Sequence, residues 1–492
     1  MARLLKLLKR LSILGFAMAL TVFAVRIYDT QRGPPLEPWH TYVPQELTIP
    51  EMDRADWASY LATEQRLFDA VRGEVTEKLP PADRLPINRY FDGSPIYPPH
   101  FQQDWNRSYV LEPQGPVRGA VVLLHGLTDS PYSLRHVART YAERGFVALG
   151  IRLPGHGTVP AALTTATWQD WTAATRLAMR EARRRAGPDA PLHLVGFSNG
   201  GALALMNALE ASDDPAQPRP SRIVLISPMV GITEFARFAG LAGLPAILPA
   251  FAKAAWLGIV PEFNPFKYNS FPVNGARQSY LLTQALQGSI RAHARGGRLP
   301  DFPPVVTFQS ALDSTVSTGA IITALHTLLA DGRSELVLFD LNRNTKLDQL
   351  LRPAADRVLT RLLPPAPRTY RTTIVTNRSL NDAEVEERVT EAGATSEQVR
   401  PLGLSYPRDI YSLSHVALPF PMDDGLYGME PSTSPSEDFG IQLGSIAARG
   451  EQRALIVNLD MLVRMTANPF LPFMLERIAA DIPVAAAPPA GR

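Results

Sequence analysis

The chain has no cysteine. That absence excludes disulfides, thiolate metal sites, a cysteine nucleophile and lipoprotein-type attachment through an N-terminal thiol. It also carries little net charge, +2 in all. Arg3, Lys6, Lys9 and Arg10 account for more than that, so everything after them is slightly acidic and no basic surface for nucleic acid is expected. There is no internal repeat. Past residue 30 no apolar run is long enough to span a bilayer, because Pro245, Pro249 and Lys253 break the one candidate. What is present in quantity is apolar residue, 45%, and proline, 45 residues, in a chain of 492. This is the composition of a globular protein with a large core and long extended connections.

Residues 1–29 join a basic start to an apolar run from Leu11 to Val25, extended past Arg26 by Ile27 and Tyr28. The run is short for a span but sufficient if Arg26 snorkels. Ala17 and Ala19 form a cleavage-like A-x-A, yet cutting there would divide the apolar run, so an uncleaved membrane anchor is preferred to a signal peptide. An amphipathic helix lying on the membrane suits residues 2–10 but not the run after them. With the basic flank in the cytoplasm, the body is exported, in a bacterium to the periplasmic side of the inner membrane.

Residues 30–105 read as a proline-rich spacer to about Pro50, a helix with Trp57, Tyr60, Leu61, Leu67, Phe68 and Val71 at helical spacing, and coil wrapped over a surface. From Arg107 the pattern becomes regular. The candidate strands SYVLEP, AVVLLHG, FVALGI, LHLVGF and RIVLISP alternate with helices, the arrangement of an α/β protein with a mostly parallel sheet covered on both faces. Residues 106–228 form the first part of this core. Alternation stops over 229–300, an apolar, turn-rich insertion read as a helical cap that lines an acyl-chain pocket. It resumes over 301–492 with PPVVTFQSALDS, GAIITALHTLLADG and SELVLFD. Residues 341–405 are read as a further insertion holding a short strand TTIVT and a charged helix NDAEVEERVTEAG. The end, from Ala454, is one or two helices broken at Pro469, with a loose tail.

The stretch LHLVGFSNGG, Leu192 to Gly201, organises the rest. A buried strand runs into G-x-S-x-G and then directly into a helix, and so sharp a turn needs Gly196 and Gly200. It lifts the Ser198 hydroxyl over a helix N-terminus, where developing negative charge is favoured. A serine hydroxyl needs an imidazole to take its proton, and the imidazole needs a carboxylate. Two histidines follow at sufficient distance. His326 sits inside a helical pattern and reads as structural, whereas His415, in the loop IYSLSHVALPFP, is assigned as base. Asp313 ends a strand and precedes the next helix, which favours it over Asp340, although capping that helix is its plainer role. The backbone N–H groups of Leu127 and Asn199 are the expected oxyanion donors. His125 and His156 read as braces for their loops. With His136 they show no spacing of a known metal site, so neither metal nor cofactor is expected.

The motifs HGLTDSPYSL, RLPGHG, GFSNGG, ALDSTVS and LSHVALP together resemble the α/β-hydrolase-fold serine esterases of the monoacylglycerol lipase and carboxylesterase group, including serine aminopeptidase-like members. The resemblance covers about residues 107–340 and the segment around His415. It implies Ser198 as nucleophile, Asp313 as acid and His415 as base, with a cap choosing the substrate. This chain departs from the pattern in its N-terminal anchor, its long extension, and the insertion that pushes the histidine far downstream. The expected activity is hydrolysis of carboxylic esters with an apolar acyl group, the partners being a lipid or small ester and the membrane. A peptidase or amidase on the same residues, or a tethered binding protein without turnover, are the alternatives. A haloalkane dehalogenase would want a carboxylate at position 198.

Overall fold

Strands that are apolar at every position need cover on both faces, and the parallel strands here receive it. The computed structural model describes residues 2–231, 246, 249–294, 296, 298–299, 301–329, 332–352, 358–444 and 465–482. The expected apolar segment at 232–245, the helix at 454–464 and the tail from 485 lie outside the described residues.

One sheet holds β1 (Tyr109–Leu111), β2 (Gly119–Leu124), β3 (Phe146–Ile151), β4 (Leu192–Phe197), β5 (Arg222–Ile226), β6 (Val305–Ser310), β7 (Glu335–Phe339), β8 (Arg371–Asn377), β9 (Glu384–Thr390) and β10 (Gln398–Ser405). Their spatial order is β1-β3-β2-β4-β5-β6-β7-β8-β9-β10. From β3 to β8 all neighbours are parallel, whereas β1, β9 and β10 run antiparallel to theirs. Alternate residues feed two cores. Val122, Leu124 and Leu194 join one, Val121, Leu123 and Val195 the other. The chain reverses its direction of sheet growth between β2 and β4, so the loops leaving those two strands border one crevice.

Among the described residues the α-helices of seven residues or more are α1 (Ala2–Arg32), α2 (Trp57–Val71), α3 (Arg135–Glu143), α4 (Trp168–Ala186), α5 (Asn199–Asp213), α6 (Val273–His293), α7 (Thr318–Ala324) and α8 (Leu471–Ala480). Helix α4 starts where a capping box forms, with Thr167 and Asp170 satisfying each other's backbone N–H groups. Of the described residues of the expected cap, Trp256–Gly258 and Phe271–Pro272 form a short antiparallel strand pair, so the segment is not wholly helical, and helix α6 packs along α5 and sends Leu282, Leu286 and Ile290 into the core.

Three expectations change. The charged segment read as a helix is strand β9. Its residues Val385, Glu387 and Val389 pair with β8, and its carboxylates meet cross-strand or near-neighbour arginines, as in Glu387 with Arg400 at 2.7 Å and Glu386 with Arg388 at 2.8 Å. Residues 341–405 therefore widen the main sheet by three strands. The proline-rich stretch before Pro50 is no free spacer, because Trp39, His40 and Met52 are buried and Glu46 grips the Arg152 guanidinium with both oxygens, at 2.8 and 2.9 Å. Glu64 and Tyr60 of α2 hold the same arginine and its carbonyl, so the extension is bolted to the loop after β3. Finally, the membrane span is unsupported. Among the described residues no helix is long and apolar enough to cross a membrane.

The segment following His415 folds back over α3 through a buried ion cluster. Arg135 Nη2 donates to Asp424 Oδ2 at 2.8 Å and to Glu437 Oε2 at 2.5 Å, while Asp424 Oδ1 accepts from Tyr132 Oη and the N–H groups of Leu426 and Tyr427. Burial pushes the Asp424 carboxyl up, but Arg135 and His136 outweigh it and hold it well below the usual carboxylate range. A depressed value contributes stability above the unfolded-state pKa, and that contribution is lost as pH falls toward the folded one. Asp424→Asn is expected to cost about 3 kcal/mol in urea unfolding at pH 7, since it leaves a buried guanidinium short of a partner. The gap from wild type should narrow at pH 3.

Candidate active site

The geometry begins at the β4–α5 turn. Ser198 sits at φ 54°, ψ −116°, a left-handed conformation that a serine adopts only under constraint. The neighbours leave no room for side chains. A Cβ on Gly196 would lie 2.3 Å from Gly200 O, and one on Gly200 would lie 2.0 Å from Leu124 O. The turn is pinned by Ser198 N donating to Ile226 O and by Met229 N donating to Ser198 O.

Facing it, His415 Nε2 lies 3.0 Å from Ser198 Oγ, and His415 Nδ1 lies 2.8 Å from Asp313 Oδ2. Phe197 stacks on the imidazole, ring centroids 5.5 Å apart. The Asp313 side chain is fully buried, and its other oxygen accepts from Thr315 N and Val316 N at 2.8 and 3.1 Å. Burial raises its pKa, but the His415 ring and those N–H donors overcome this and leave it below the ordinary value. With the carboxylate ionised, Nδ1 carries the proton and Nε2 is left to accept one from Ser198. The plainer role expected of Asp313, capping the next helix, falls instead to Ser317, whose Oγ accepts from Ala320 N at the start of α7, while Asp313 closes the turn before it.

The histidine arrives from 217 residues downstream of the serine. Its loop is held by Ser414 N donating to Met465 O, by Asn342 donating to Pro407 O and Ile410 O, and by Asn468 Nδ2 donating to Leu418 O. Neither asparagine was singled out from the sequence, because nothing local marks a side chain whose acceptors lie 50 or more residues away.

The loop after β2 lies beside Ser198, a Cβ on Gly126 falling 3.3 Å from Ser198 Cβ. Among the described residues neither Leu127 N–H nor Asn199 N–H has an acceptor, and Asn199 opens α5, where intrahelical acceptors are lacking. Residues that sequence reasoning missed fix this loop. Buried Asp129 accepts from Ser133 Oγ at 2.5 Å and Gly126 N at 3.4 Å, Tyr268 N donates to Thr128 O at 2.8 Å, and Ser279 Oγ donates to Asn199 Oδ1 at 3.1 Å. Asp129 could have been noticed as a carboxylate within HGLTDS; Tyr268 and Ser279 gave no signal.

The remaining candidates lie elsewhere. His125 accepts from Leu153 N and donates to Gly126 O, burial holding it neutral, and His156 donates to Pro154 O, so both brace loops as expected. His326 is buried against Thr307. Asp340 accepts from Arg343 and Thr376 and is not among the His415 partners. His136, Asp424 and Glu437 bring potential metal-ligand atoms within 4.8 Å of one another, but Arg135 is bonded to both carboxylates and supplies the positive charge there.

The chain is similar to several known proteins. A thermostable monoacylglycerol lipase of Bacillus sp. (strain H-257) is 35% identical over 91 residues, 18% of this chain and 34% of the relative, so the chain spans about a third of the curated relative's length. Among solved structures, one from work on LipS and LipT, two metagenome-derived lipolytic enzymes, is 24% identical with a TM-score of 0.39, covering 48% of this chain and 88% of that one. A soluble variant of the monoglyceride lipase of Saccharomyces cerevisiae is 14% identical with a TM-score of 0.35, covering 47% and 81%. Residues 115–263 match the family described as serine aminopeptidase, S33, and with that match on a sheet of this order the chain has an α/β-hydrolase fold.

Proposed function

We propose that the protein is a serine hydrolase of carboxylic esters with an apolar acyl group, working through an acyl-enzyme on Ser198. The observation that carries this reading is the unbroken chain of hydrogen bonds from Ser198 Oγ through His415 to Asp313, at 3.0 and 2.8 Å, on a strained turn. In the first half-reaction His415 Nε2 takes the hydroxyl proton as Oγ bonds to the ester carbonyl carbon. The carbonyl oxygen becomes an oxyanion facing Leu127 N–H and Asn199 N–H. His415 then gives its proton to the departing alkoxide as the C–O bond breaks. Water repeats the sequence on the acyl-enzyme, releasing the acid and restoring Ser198. Asp313 keeps the ring in the required tautomer and stabilises its cation throughout. No metal or organic cofactor enters these steps.

The lipase named above supports an ester with a fatty acyl group, while the aminopeptidase description of the matching family favours an amide. Matched aryl ester and anilide substrates of graded chain length decide between them. The ester reading expects turnover to rise with acyl length and the anilides to react at least about a thousandfold more slowly; comparable rates would make the protein an amidase or peptidase.

We further propose that α1 tethers the enzyme to a membrane. Leu7, Leu11, Leu14, Phe16 and Met18 are each more than half exposed, an apolar surface that water does not favour. Full-length protein should sediment with membranes and be released by detergent; release by high salt alone would end the tether reading.

A further inference from the structure

Arg89 is 2% exposed, and a guanidinium stays charged at any physiological pH. Other buried arginines of the described structure have carboxylates: Arg135 has Asp424 and Glu437, Arg152 has Glu46 and Glu64, and Arg222 has Asp481. Among the described residues Arg89 has none within ion-pair distance. Nη1 donates to Asn264 O at 3.1 Å, Nη2 donates to Asn106 Oδ1 at 3.0 Å and Gly157 O at 3.4 Å, and Nε finds no acceptor. The carboxylate whose charge it feels, Glu262, has its oxygens engaged by the N–H groups of Ser270 and Asn269, at 2.7 and 3.0 Å. A buried charge without a directly bonded counter-charge is costly, which marks the place as built for an anion.

Arg89 and its acceptors Asn106 and Gly157 form one wall of a cavity of about 240 Å³ between the N-terminal extension and the loop after β3. Arg72 and Arg107 also line it but are ion-paired with Glu77 and Asp104, each at 3.3 Å, and Phe68, Tyr97 and Pro98 supply apolar surface. Of the acids there, Asp104 is already bonded to Arg107 and Asn106, and exposed Asp69 accepts from Gln65. The volume equals on the order of eight waters at about 30 Å³ each, enough for a small organic molecule. No residue of the Ser198 site lines it.

The geometry points to a second binding site, in this cavity, for a small carboxylate whose charged end meets Arg89 and whose apolar body lies against Phe68 and Tyr97. A monoanion with a flat or aliphatic body fits a wall that is part guanidinium and part ring, whereas phosphate or chloride would leave the apolar half unused.

Calorimetric titration of the full-length protein with sodium benzoate, sodium acetate, inorganic phosphate and sodium chloride at constant ionic strength tests this. Benzoate is expected to saturate one site with a Kd of about 1 mM, ahead of the other three. Because Arg89→Gln can disturb folding, the companion variant is Thr76→Trp, which fills the cavity from its half-buried side and leaves Arg89 in place. It should weaken benzoate binding at least about tenfold while esterase activity persists. The proposal is overturned if no probe saturates by about 100 mM, if chloride or phosphate binds as tightly as benzoate, or if Thr76→Trp binds benzoate like wild type.

Discussion

Ser198→Ala should hydrolyse short aryl esters about 10⁵–10⁶-fold more slowly than wild type, with the urea unfolding midpoint unchanged. The effect is large because the hydroxyl is the bond-forming atom, and among the described residues Ser198 Oγ is the hydroxyl bonded to His415 Nε2. The fold should tolerate the change. Alanine keeps the Cβ that the turn already accommodates, and the backbone bonds from Ser198 N and to Ser198 O do not involve the side chain. Turnover within about tenfold of wild type, measured with protein free of host esterase, would remove Ser198 from the reaction.

Asp313→Asn is expected to lower kcat about 10⁴-fold with little change in KM. Asp313 Oδ2 accepts the Nδ1 proton of His415, and an amide NH₂ placed there would demand the opposite tautomer, putting the proton on Nε2, where it blocks transfer from Ser198. Asp340→Asn is the control and should leave kcat unchanged, because Asp340 is committed to Arg343 and Thr376. The depressed pKa of Asp313 sets a sign as well. Its carboxylate stays ionised below the ordinary aspartate range, and the stability it contributes at neutral pH is lost only as pH falls toward that lowered value. If Asp340→Asn produced the larger loss, the acid would have been assigned to the wrong strand end.

Much of this site was legible because its chemistry imposes local rules. A strand-to-helix turn with no space for a Cβ writes glycine at 196 and 200, and the order serine, aspartate, histidine is the one that the resemblance implies. The parallel strands were legible for a related reason, since burial on both faces leaves unbroken apolar runs such as Ala120 to Leu124. Strand β9 was not. Glu384, Glu386, Glu387 and Arg388 within five residues resemble a solvated helix, and only the neighbouring strands β8 and β10, including Arg400 opposite Glu387, turn them into a strand paired on both sides. The anchoring of the extension was hidden likewise, because Glu46 and Arg152 are separated by 106 residues and neither is unusual alone. The supports of the oxyanion loop, Tyr268 and Ser279, come from the segment whose sequence showed only apolar character and turns.

The most direct test of the account is a fluorophosphonate probe applied to full-length protein, followed by peptide mapping of the label. The expected result is one modified residue, Ser198, with labelling lost when His415 is replaced by alanine. Labelling absent from Ser198, or equally fast without the imidazole, would contradict the claim that His415 activates that hydroxyl.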